Sequence, residues 1–305
     1  MTVLTADSVK SGEQRPDSTS PAAPDYQRRR RVRRAVLYTV LIVGVIPTVL
    51  PFVWLVRSAL MDNNQMFIAP PEWIPKPFEW SNFSGALTAQ PFARYFLNTM
   101  IIEFFTVTGT LLTCSIAAFS FSRLRWRGRN LVFGILLSGL MLPQAVLLVP
   151  TFLMWDYVQA INTYYPLIVP AWFGGAGGGI FNVFLLRQFF LTIPYELDEA
   201  AYIDGASPWR VFWQVIVPLS KPALMVVGIF TFIRTWNEFL DPLIYLNDSS
   251  KFTLALGLAS FQGIYNAQWG YLMAAATATI LPIIILFFFA QRYLIEGVTL
   301  TGVKG

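Results

Sequence analysis

The chain reads Glu199-Ala200-Ala201-Tyr202-Ile203-Asp204-Gly205 between two long apolar segments. Pro194 stands where a helix can begin, and Gly205 can supply the left-handed cap that ends it. Leu197 and Ile203, together with the two alanines, give this helix an apolar side. We therefore expect a short amphipathic helix, set into an otherwise apolar chain, that offers a surface for docking.

A second amphipathic helix is predicted directly after the first. Ser207 suits the N-cap position and Pro208 the first helical position. Pro218 is expected to end this helix. Between them, apolar and aromatic residues recur at i, i+3, i+4 and i+7, namely Trp209, Phe212, Trp213 and Ile216.

The composition is that of a membrane protein. Of 305 residues, 55% are hydrophobic and 13% are charged, and the mean hydropathy is +0.53. The single cysteine, Cys114, excludes an internal disulfide. The chain has no histidine, and this removes the commonest metal ligand and the usual general base, which disfavours an enzyme.

Six windows are long and apolar enough to cross a bilayer, which takes about 20 residues per helix. They predict an all-α polytopic membrane protein with six transmembrane helices. The windows cover residues 35–56, 95–121, 131–155, 165–186, 222–246 and 269–290.

Arginine clusters set the predicted orientation, because positive charge marks the cytoplasmic side. One cluster precedes the first window and another separates the second from the third, whereas the alternate loops hold few cations. Both termini and the segment 191–220, between spans four and five, are therefore predicted to be cytoplasmic. The net charge of +5 then reflects topology, and no nucleic-acid partner is expected. The arginines concerned are Arg28, Arg29, Arg30, Arg31, Arg33, Arg34, Arg123, Arg125, Arg127 and Arg129.

The domain limits follow from these segments. Residues 1–34 are predicted as a disordered basic tail, since 1–27 have too few apolar residues to fold. The apolar segment after the arginines is too long for a signal peptide and is expected to remain as an anchor. Residues 35–295 form the predicted six-span domain, and residues 296–305 form a cytoplasmic tail.

Charged residues inside window five are candidates for function, since charge within a membrane is costly. Arg234, Glu238 and Asp241 would share one helical face. They permit two interpretations: Trp236, Asn237 and Glu238 line a polar substrate path, or Arg234 and Glu238 only neutralise each other. For Asn237, the interpretation that it lines the substrate path is favoured.

A glycine cluster in window four predicts a weak point, because each glycine inside a helix costs about 1 kcal/mol relative to alanine. A local break beside a transport path and close helix packing both remain open, the latter being the commoner explanation. Helix kinks are also expected at several prolines. The residues are Gly174, Gly175, Gly177, Gly178 and Gly179, with Pro143 beside Gln144, Pro150 and Pro282.

The spacing around Glu199 resembles the cytoplasmic loop of binding-protein-dependent ABC importer permeases. That family's pattern is Glu-Ala-Ala, three residues, Gly, nine residues and Ile-x-Leu-Pro. The present chain keeps the spacing up to Pro218, with Val215 and Val217 in place of the isoleucine and leucine. We call residues 191–220 the coupling loop.

The last residues narrow the resemblance to carbohydrate importers. Gly302-Val303-Lys304-Gly305 looks like the Gly-x-Lys-Gly ending of maltose-system subunits, and the run from Trp236 to Leu243 is similar as well. The tail is not a phosphate-binding loop, because Gly305 replaces the required Ser or Thr.

The resemblance implies the permease subunit of an ATP-driven importer for an oligosaccharide or polyol, in a bacterial or archaeal plasma membrane. It implies no cofactor in this chain, with ATP and Mg held by two ATP-binding subunits. A second permease subunit and an extracellular sugar-binding protein complete the assembly. Glu199 would anchor the loop electrostatically, Ala200 and Ala201 would allow close approach, and Gly205 would make the turn. Asp204, Pro218, Lys304 and Gly305 would share the contact with the ATP-binding subunit.

Two rival functions stay open at this level. An ion-coupled secondary transporter would use Glu238 and Asp241 as coupling carboxylates. The other is a membrane enzyme or a channel. The absence of histidine counts against an enzyme, and the long coupling loop counts against a channel.

Overall fold

The computed structural model describes residues 23–175, 178–263 and 268–302, with side chains from 28 to 291 within these ranges. The regular secondary structure of the described residues is helical, with no strand among them. The α-helices are α1 (Ala23–Ala59), α2 (Asn63–Met66), α3 (Ser81–Ala89), α4 (Phe92–Ser122), α5 (Arg129–Ser138), α6 (Gln144–Tyr157), α7 (Tyr165–Ile168), α8 (Gly179–Thr192), α9 (Glu196–Ile203), α10 (Pro208–Val211), α11 (Val217–Leu219), α12 (Lys221–Trp236), α13 (Leu240–Tyr245), α14 (Leu254–Ala259) and α15 (Trp269–Gly302).

Three helical segments are long and apolar enough to cross a membrane by themselves: Arg28–Ala59, Phe92–Ser122 and Trp269–Gln291. Two bent helix pairs raise the number to as many as five, and Gly179–Thr192 is a shorter apolar helix of the kind that a broken span contains. These segments cover the first, second and sixth predicted windows and parts of the other three. The count of six spans stays a prediction.

The third predicted window is broken near its middle. Arg129–Met141 and Gln144–Tyr157 meet at 100°. Pro143 lies between them in an extended conformation, which confirms the predicted kink at this proline. Pro150 and Pro282 lie inside α6 and α15.

The fourth window is also interrupted, at the predicted glycine cluster. A 3₁₀ helix, Val169–Phe173, ends at Gly174, whose φ is +72°, and α8 begins after Gly178, whose φ is +78°. A Cβ atom on Gly179 would collide with the carbonyl oxygen of Gly174. The glycines therefore form a helix break in which Gly179 lies close to the backbone of Gly174. Close packing between helices through these glycines stays a prediction, and Gly177 lies outside the described residues.

The fifth window does not form the single helix that was predicted. α12 ends at Trp236, and α13 begins at Leu240. The Glu238 carboxylate accepts hydrogen bonds from the backbone N–H groups of Leu240, at 3.2 Å, and Asp241, at 3.4 Å. Because the Glu238 side chain binds these N–H groups, they are not available for the hydrogen bonds of a continuous helix. The helix is therefore interrupted at Glu238, and α13 begins as a separate helix.

The chain divides into two compact units, residues 1–53 and 54–305. In the first unit, the described residues belong to α1. In the second unit, α4 is the central helix and packs against α8, α12 and the 3₁₀ helix, while α12 also packs against α15. One apolar cluster joins α4 and α8 to the coupling loop through Phe119, Phe190 and Phe212, and thereby fixes the position of the loop.

Candidate functional site

The coupling loop contains the two helices that the sequence predicts. α9 is capped at its C-terminal end by Gly205, whose φ is +79°. An L-residue with a side chain is strained in this conformation, which explains why glycine stands here. The Ser207 hydroxyl accepts a hydrogen bond from the N–H of Arg210 at 3.3 Å and so caps α10.

The second helix differs from its prediction at its end. Pro218 does not end it: the helix continues to Leu219 and bends by 78° into α12. A π-helical turn, Phe212–Ile216, comes directly before α11, and the N–H of Val217 reaches back to the carbonyl of Phe212. This widened turn accommodates a proline that would interrupt a regular α-helix.

The π-turn also divides the predicted apolar stripe. Phe212 and Ile216 are buried, whereas Trp209 and Trp213 are exposed. The ring of Phe212 contacts both tryptophans, with centroids 5.6 Å and 5.0 Å away. The two exposed indoles therefore pack on the buried ring of Phe212.

Most of the predicted coupling residues lie on the surface. Glu199, Ala200, Asp204, Gly205 and Pro218 are exposed, and Ala201 is half-buried against the core. The neighbouring Ile203 side chain is 87% exposed, which is unusual for isoleucine. Together they form an acidic and apolar surface. Lys304 and Gly305 lie outside the described residues.

Asp198 occupies the opposite, buried side of α9. Its carboxylate Oδ2 lies 3.2 Å from Nη1 of Arg123, and both side chains are almost inaccessible to solvent. Burial raises the pKa of Asp198, and the Arg123 guanidinium partly opposes this rise. The sequence pattern assigned Arg123 only to topology, so this pair was missed.

A cavity of about 360 Å³ lies in the second unit, among α4, α6, α12, α13 and the broken fourth window. Three charged side chains line it: Arg234, Glu238 and Asp241. The prediction that they share one face of a single helix is wrong, because α12 ends at Trp236 and α13 begins at Leu240. Their side chains nevertheless line the same cavity. Hydroxyl and amide groups on the wall belong to Thr99, Thr106, Gln144, Thr151, Thr235, Tyr245 and Thr253.

Several of these polar groups contact one another. The Gln144 amide donates a hydrogen bond to Asp241 at 3.4 Å, and the Tyr245 hydroxyl donates one to the Thr151 hydroxyl at 3.1 Å. Gly175, Gly178 and Gly179 complete one wall, where backbone takes the place of side chains. The result is a concave site with convergent hydrogen-bonding groups, as small-molecule sites have.

The other two residues predicted for the substrate path lie elsewhere. Trp236 is only 2% exposed: its indole N–H donates to the carbonyl of Thr279 at 3.1 Å, and its ring stacks on Phe232. Asn237 is exposed, and its amide donates to the carbonyl of Ile233 at 2.7 Å. Neither lines the cavity. A contact between Asn237 and substrate stays a prediction.

Glu103 is a second polar residue that the sequence interpretation missed. It is 3% exposed on α4, between the cavity-lining Thr99 and Thr106, and its two carboxylate oxygens have no hydrogen-bond partner among the described residues. The available signal was one carboxylate inside the second apolar window. No group of three or more potential metal ligands occurs in the described part of the chain.

Comparison with known proteins relates this architecture to transport systems. A family model described as "Binding-protein-dependent transport system inner membrane component" matches residues 109–299. A probable ABC transporter permease protein, YurM of Bacillus subtilis, is 33% identical over 294 residues, or 95% of each chain.

Two further relatives carry names that state their cargo. The diacetylchitobiose uptake system permease NgcG of Streptomyces coelicolor is 29% identical over 87% of each chain. The sn-glycerol-3-phosphate transport system permease UgpE of Yersinia pestis is 33% identical over 85% of this chain and 94% of its own. A crystal structure of a bacterial ABC transporter that imports alginate superposes with a TM-score of 0.74 at 21% identity, covering 90% of this chain and 99% of that one.

Proposed function

The chain belongs to the family of binding-protein-dependent transport system inner membrane components, the permeases of ABC importers, and we propose that its cargo is a neutral oligosaccharide or polyol. The observation that carries the proposal is the cavity. Its wall combines hydroxyl, amide and carboxylate groups, which are suited to hydrogen bonds with the hydroxyls of a carbohydrate. The named cargo of NgcG, an amino-sugar disaccharide, supports the same class.

Charge favours a neutral cargo over an anionic one. Glu238 and Asp241 bring two carboxylates to the cavity, against one guanidinium from Arg234. A phosphate or uronate entering this site would face net negative charge at short range. We therefore expect the specificity to differ from that named for UgpE, whose cargo carries a phosphate.

The coupling loop is proposed to dock on an ATP-binding subunit. Glu199 is the electrostatic anchor, Ala200 and Ala201 allow close approach, and Gly205 makes the turn, with Asp204, Pro218, Lys304 and Gly305 at the same contact. Support comes from the exposure of these residues in the described loop and from the two exposed tryptophans, Trp209 and Trp213, that pack on Phe212 in the same loop. ATP and Mg belong to that partner.

The proposed assembly contains two ATP-binding subunits, a second permease subunit and an extracellular sugar-binding protein. It lies in a bacterial or archaeal plasma membrane with both termini of this chain in the cytoplasm, as the arginine distribution indicates. The limits 1–34, 35–295 and 296–305 remain the proposed division of the chain. Family membership disfavours the ion-coupled carrier.

Transport by the reconstituted complex tests the function. The tagged chain is purified from native membranes with its partners, placed in liposomes with ATP inside, and supplied with the cognate binding protein loaded with labelled oligosaccharide. Uptake should require ATP and the binding protein and persist when an ionophore removes ion gradients. Uptake that continues without ATP and stops with the ionophore would contradict the proposal.

A further inference from the structure

We propose that Arg123 and Asp198 form the link that passes movement of the coupling helix α9 to α4, and through α4 to the wall of the cavity. The proposal rests on the docking role of the coupling loop and assigns a positioning role to two residues outside its docking surface.

The first part of the link is the ion pair. α9 presents Glu199 and Ile203 to solvent and Asp198 to the interior, so one short helix carries a docking surface and an anchor on opposite sides. Oδ2 of Asp198 lies 3.2 Å from Nη1 of Arg123, with side chains only 1% and 3% exposed. A charge pair shielded from water in this way is little screened by salt.

The second part is the position of Arg123 itself. It is the C-cap residue of α4, and its backbone N–H donates to the carbonyl of Phe119 at 2.8 Å. Its Nη2 donates to the carbonyls of Phe190 and, at 2.7 Å, Ile193, where α8 ends. A cation is favourable beside such carbonyls at a helix C-terminus. One guanidinium thus holds the ends of three helices, α4, α8 and α9.

The third part is chain connectivity. The backbone joins α9 directly to α8 on one side and to α10, α11 and α12 on the other. α4 ends at Ser122, long before the loop begins at residue 191, so movement of α9 reaches α4 through side-chain contacts. The direct contacts with the loop include the Arg123–Asp198 pair and apolar packing such as Phe119 on Phe212, and α8 and α12 also pack on α4. α4 in turn supplies Thr99 and Thr106 to the cavity.

Two cysteine reporters, one on α4 and one on α12, distinguish movement passed through the Arg123–Asp198 pair from movement passed along the backbone. In a Cys114→Ala background, Thr106→Cys reports on α4 and Thr235→Cys on α12, and both positions line the cavity. The rate of alkylation by N-ethylmaleimide is measured in the purified, partner-bound complex, with and without ATP-Mg and vanadate. In the parent complex both rates should change when ATP is bound.

Asp198→Asn should then reduce the ATP-dependent change at Thr106→Cys by about five-fold or more, while the change at Thr235→Cys persists. The matched control is Glu196→Gln, on the same helix but exposed, which should leave both responses intact. A role in folding alone would lower the yield of complex but would not separate the two reporters.

Each outcome decides one claim. An unchanged response at Thr106→Cys in the Asp198→Asn complex overturns the link. A parent complex in which Thr235→Cys does not respond to ATP overturns the proposed docking role instead. If Asp198→Asn does not assemble, Asp198→Ser is measured in its place, and failure of both to assemble assigns the pair to folding and overturns the link.

Discussion

Glu238 accepts the backbone N–H of Asp241 at 3.4 Å, and the side chains of both residues line the same cavity. The first carboxylate therefore has two tasks. It interrupts the helix predicted for the fifth window, and it binds the backbone at the start of α13, whose Asp241 carboxylate accepts a hydrogen bond from Gln144. A change at Glu238 will consequently affect both the local fold and the charge of the site.

Glu238→Gln separates these tasks, because an amide oxygen can still accept hydrogen bonds from the N–H groups of α13 while the negative charge is lost. We expect normal complex yield and a relative gain in uptake of an acidic disaccharide over its neutral counterpart. Competition uptake with a uronic acid disaccharide and the matched neutral one measures this.

Asn237→Ala is the matched control at the adjacent position, since it leaves the charge of the cavity unchanged. It also tests the sequence-based prediction for Asn237: altered uptake at normal yield would place this amide on the path. If Glu238→Gln leaves the preference between the two disaccharides unchanged, the electrostatic basis for a neutral cargo is wrong.

Glu199→Lys should reduce transport strongly while the chain still inserts and folds, because the substitution reverses the charge of an exposed residue of the proposed docking surface without altering the core. Binding-protein-stimulated ATP hydrolysis and uptake measure the effect. Glu196→Lys, one turn earlier on α9, is the control for a nonspecific change of surface charge and should have the smaller effect.

Gly205→Val tests the turn itself. The φ of +79° is strained for a β-branched residue, at a cost on the order of 1–3 kcal/mol. The strain should displace the start of α10 relative to α9 and impair coupling more than insertion. Normal transport by both Glu199→Lys and Gly205→Val complexes would remove the coupling role.

The stability of the complex should depend on pH through Asp198. Its pKa in the folded protein is raised above the ordinary value of 3.8, so the folded state favours the protonated form more than the unfolded state does. The contribution of this group to the free energy of unfolding is therefore largest at low pH and declines as pH rises through the raised pKa.

Relative to the Asp198→Asn complex, the wild-type complex should accordingly lose stability as the pH rises from the ordinary pKa of an aspartate through the raised pKa of Asp198. Thermal unfolding of both complexes from about pH 4 to pH 8 measures the difference. A difference in Tm that stays constant across this range, or that changes in the opposite sense, contradicts the direction of the shift.

Glu103→Gln should be tolerated and should increase the yield of folded complex or leave it unchanged. Burial of an ionised carboxylate without a partner is expensive, and the neutral isostere has the same shape. Detergent-solubilised complex is quantified by size-exclusion chromatography, with Thr110→Val, on the same buried face of α4, as the reference for loss of a buried polar group. A severe loss with Glu103→Gln would show that the charge itself is needed in the assembly.

Local signals in the sequence predicted the coupling loop well. Gly205 and Ser207 act on the backbone within a few residues of themselves, so their roles as caps follow from residue type and spacing. The glycine break is of the same kind. Pro218 shows the limit of such reasoning, because the preceding π-turn, which depends on packing around Phe212, allows the helix to continue past it.

Contacts between distant segments could not be predicted in this way. Arg123 and Asp198 are 75 positions apart, and nothing in their immediate neighbourhoods pairs them. In addition, Arg123 belongs to an arginine cluster that marks the cytoplasmic side of the membrane, so its presence was already explained. Glu238 stands four residues after Arg234, and this spacing predicted a side-chain pair on one helix. The structure shows instead that the Glu238 carboxylate accepts hydrogen bonds from the backbone N–H groups two and three residues ahead.

The glycine wall of the cavity has a consequence for how specificity can change. Where Gly175, Gly178 and Gly179 line the cavity, a cargo bound there would meet main chain in place of side chains. Substitution of these glycines is expected to change the backbone conformation, rather than only to add a new side chain to the cavity wall. New cargo preferences are therefore encoded on the side chains that line the rest of the cavity. A specificity-redesign library is best centred on Arg234 and Thr235 of α12, Glu238 in the connection that follows, and Asp241 of α13.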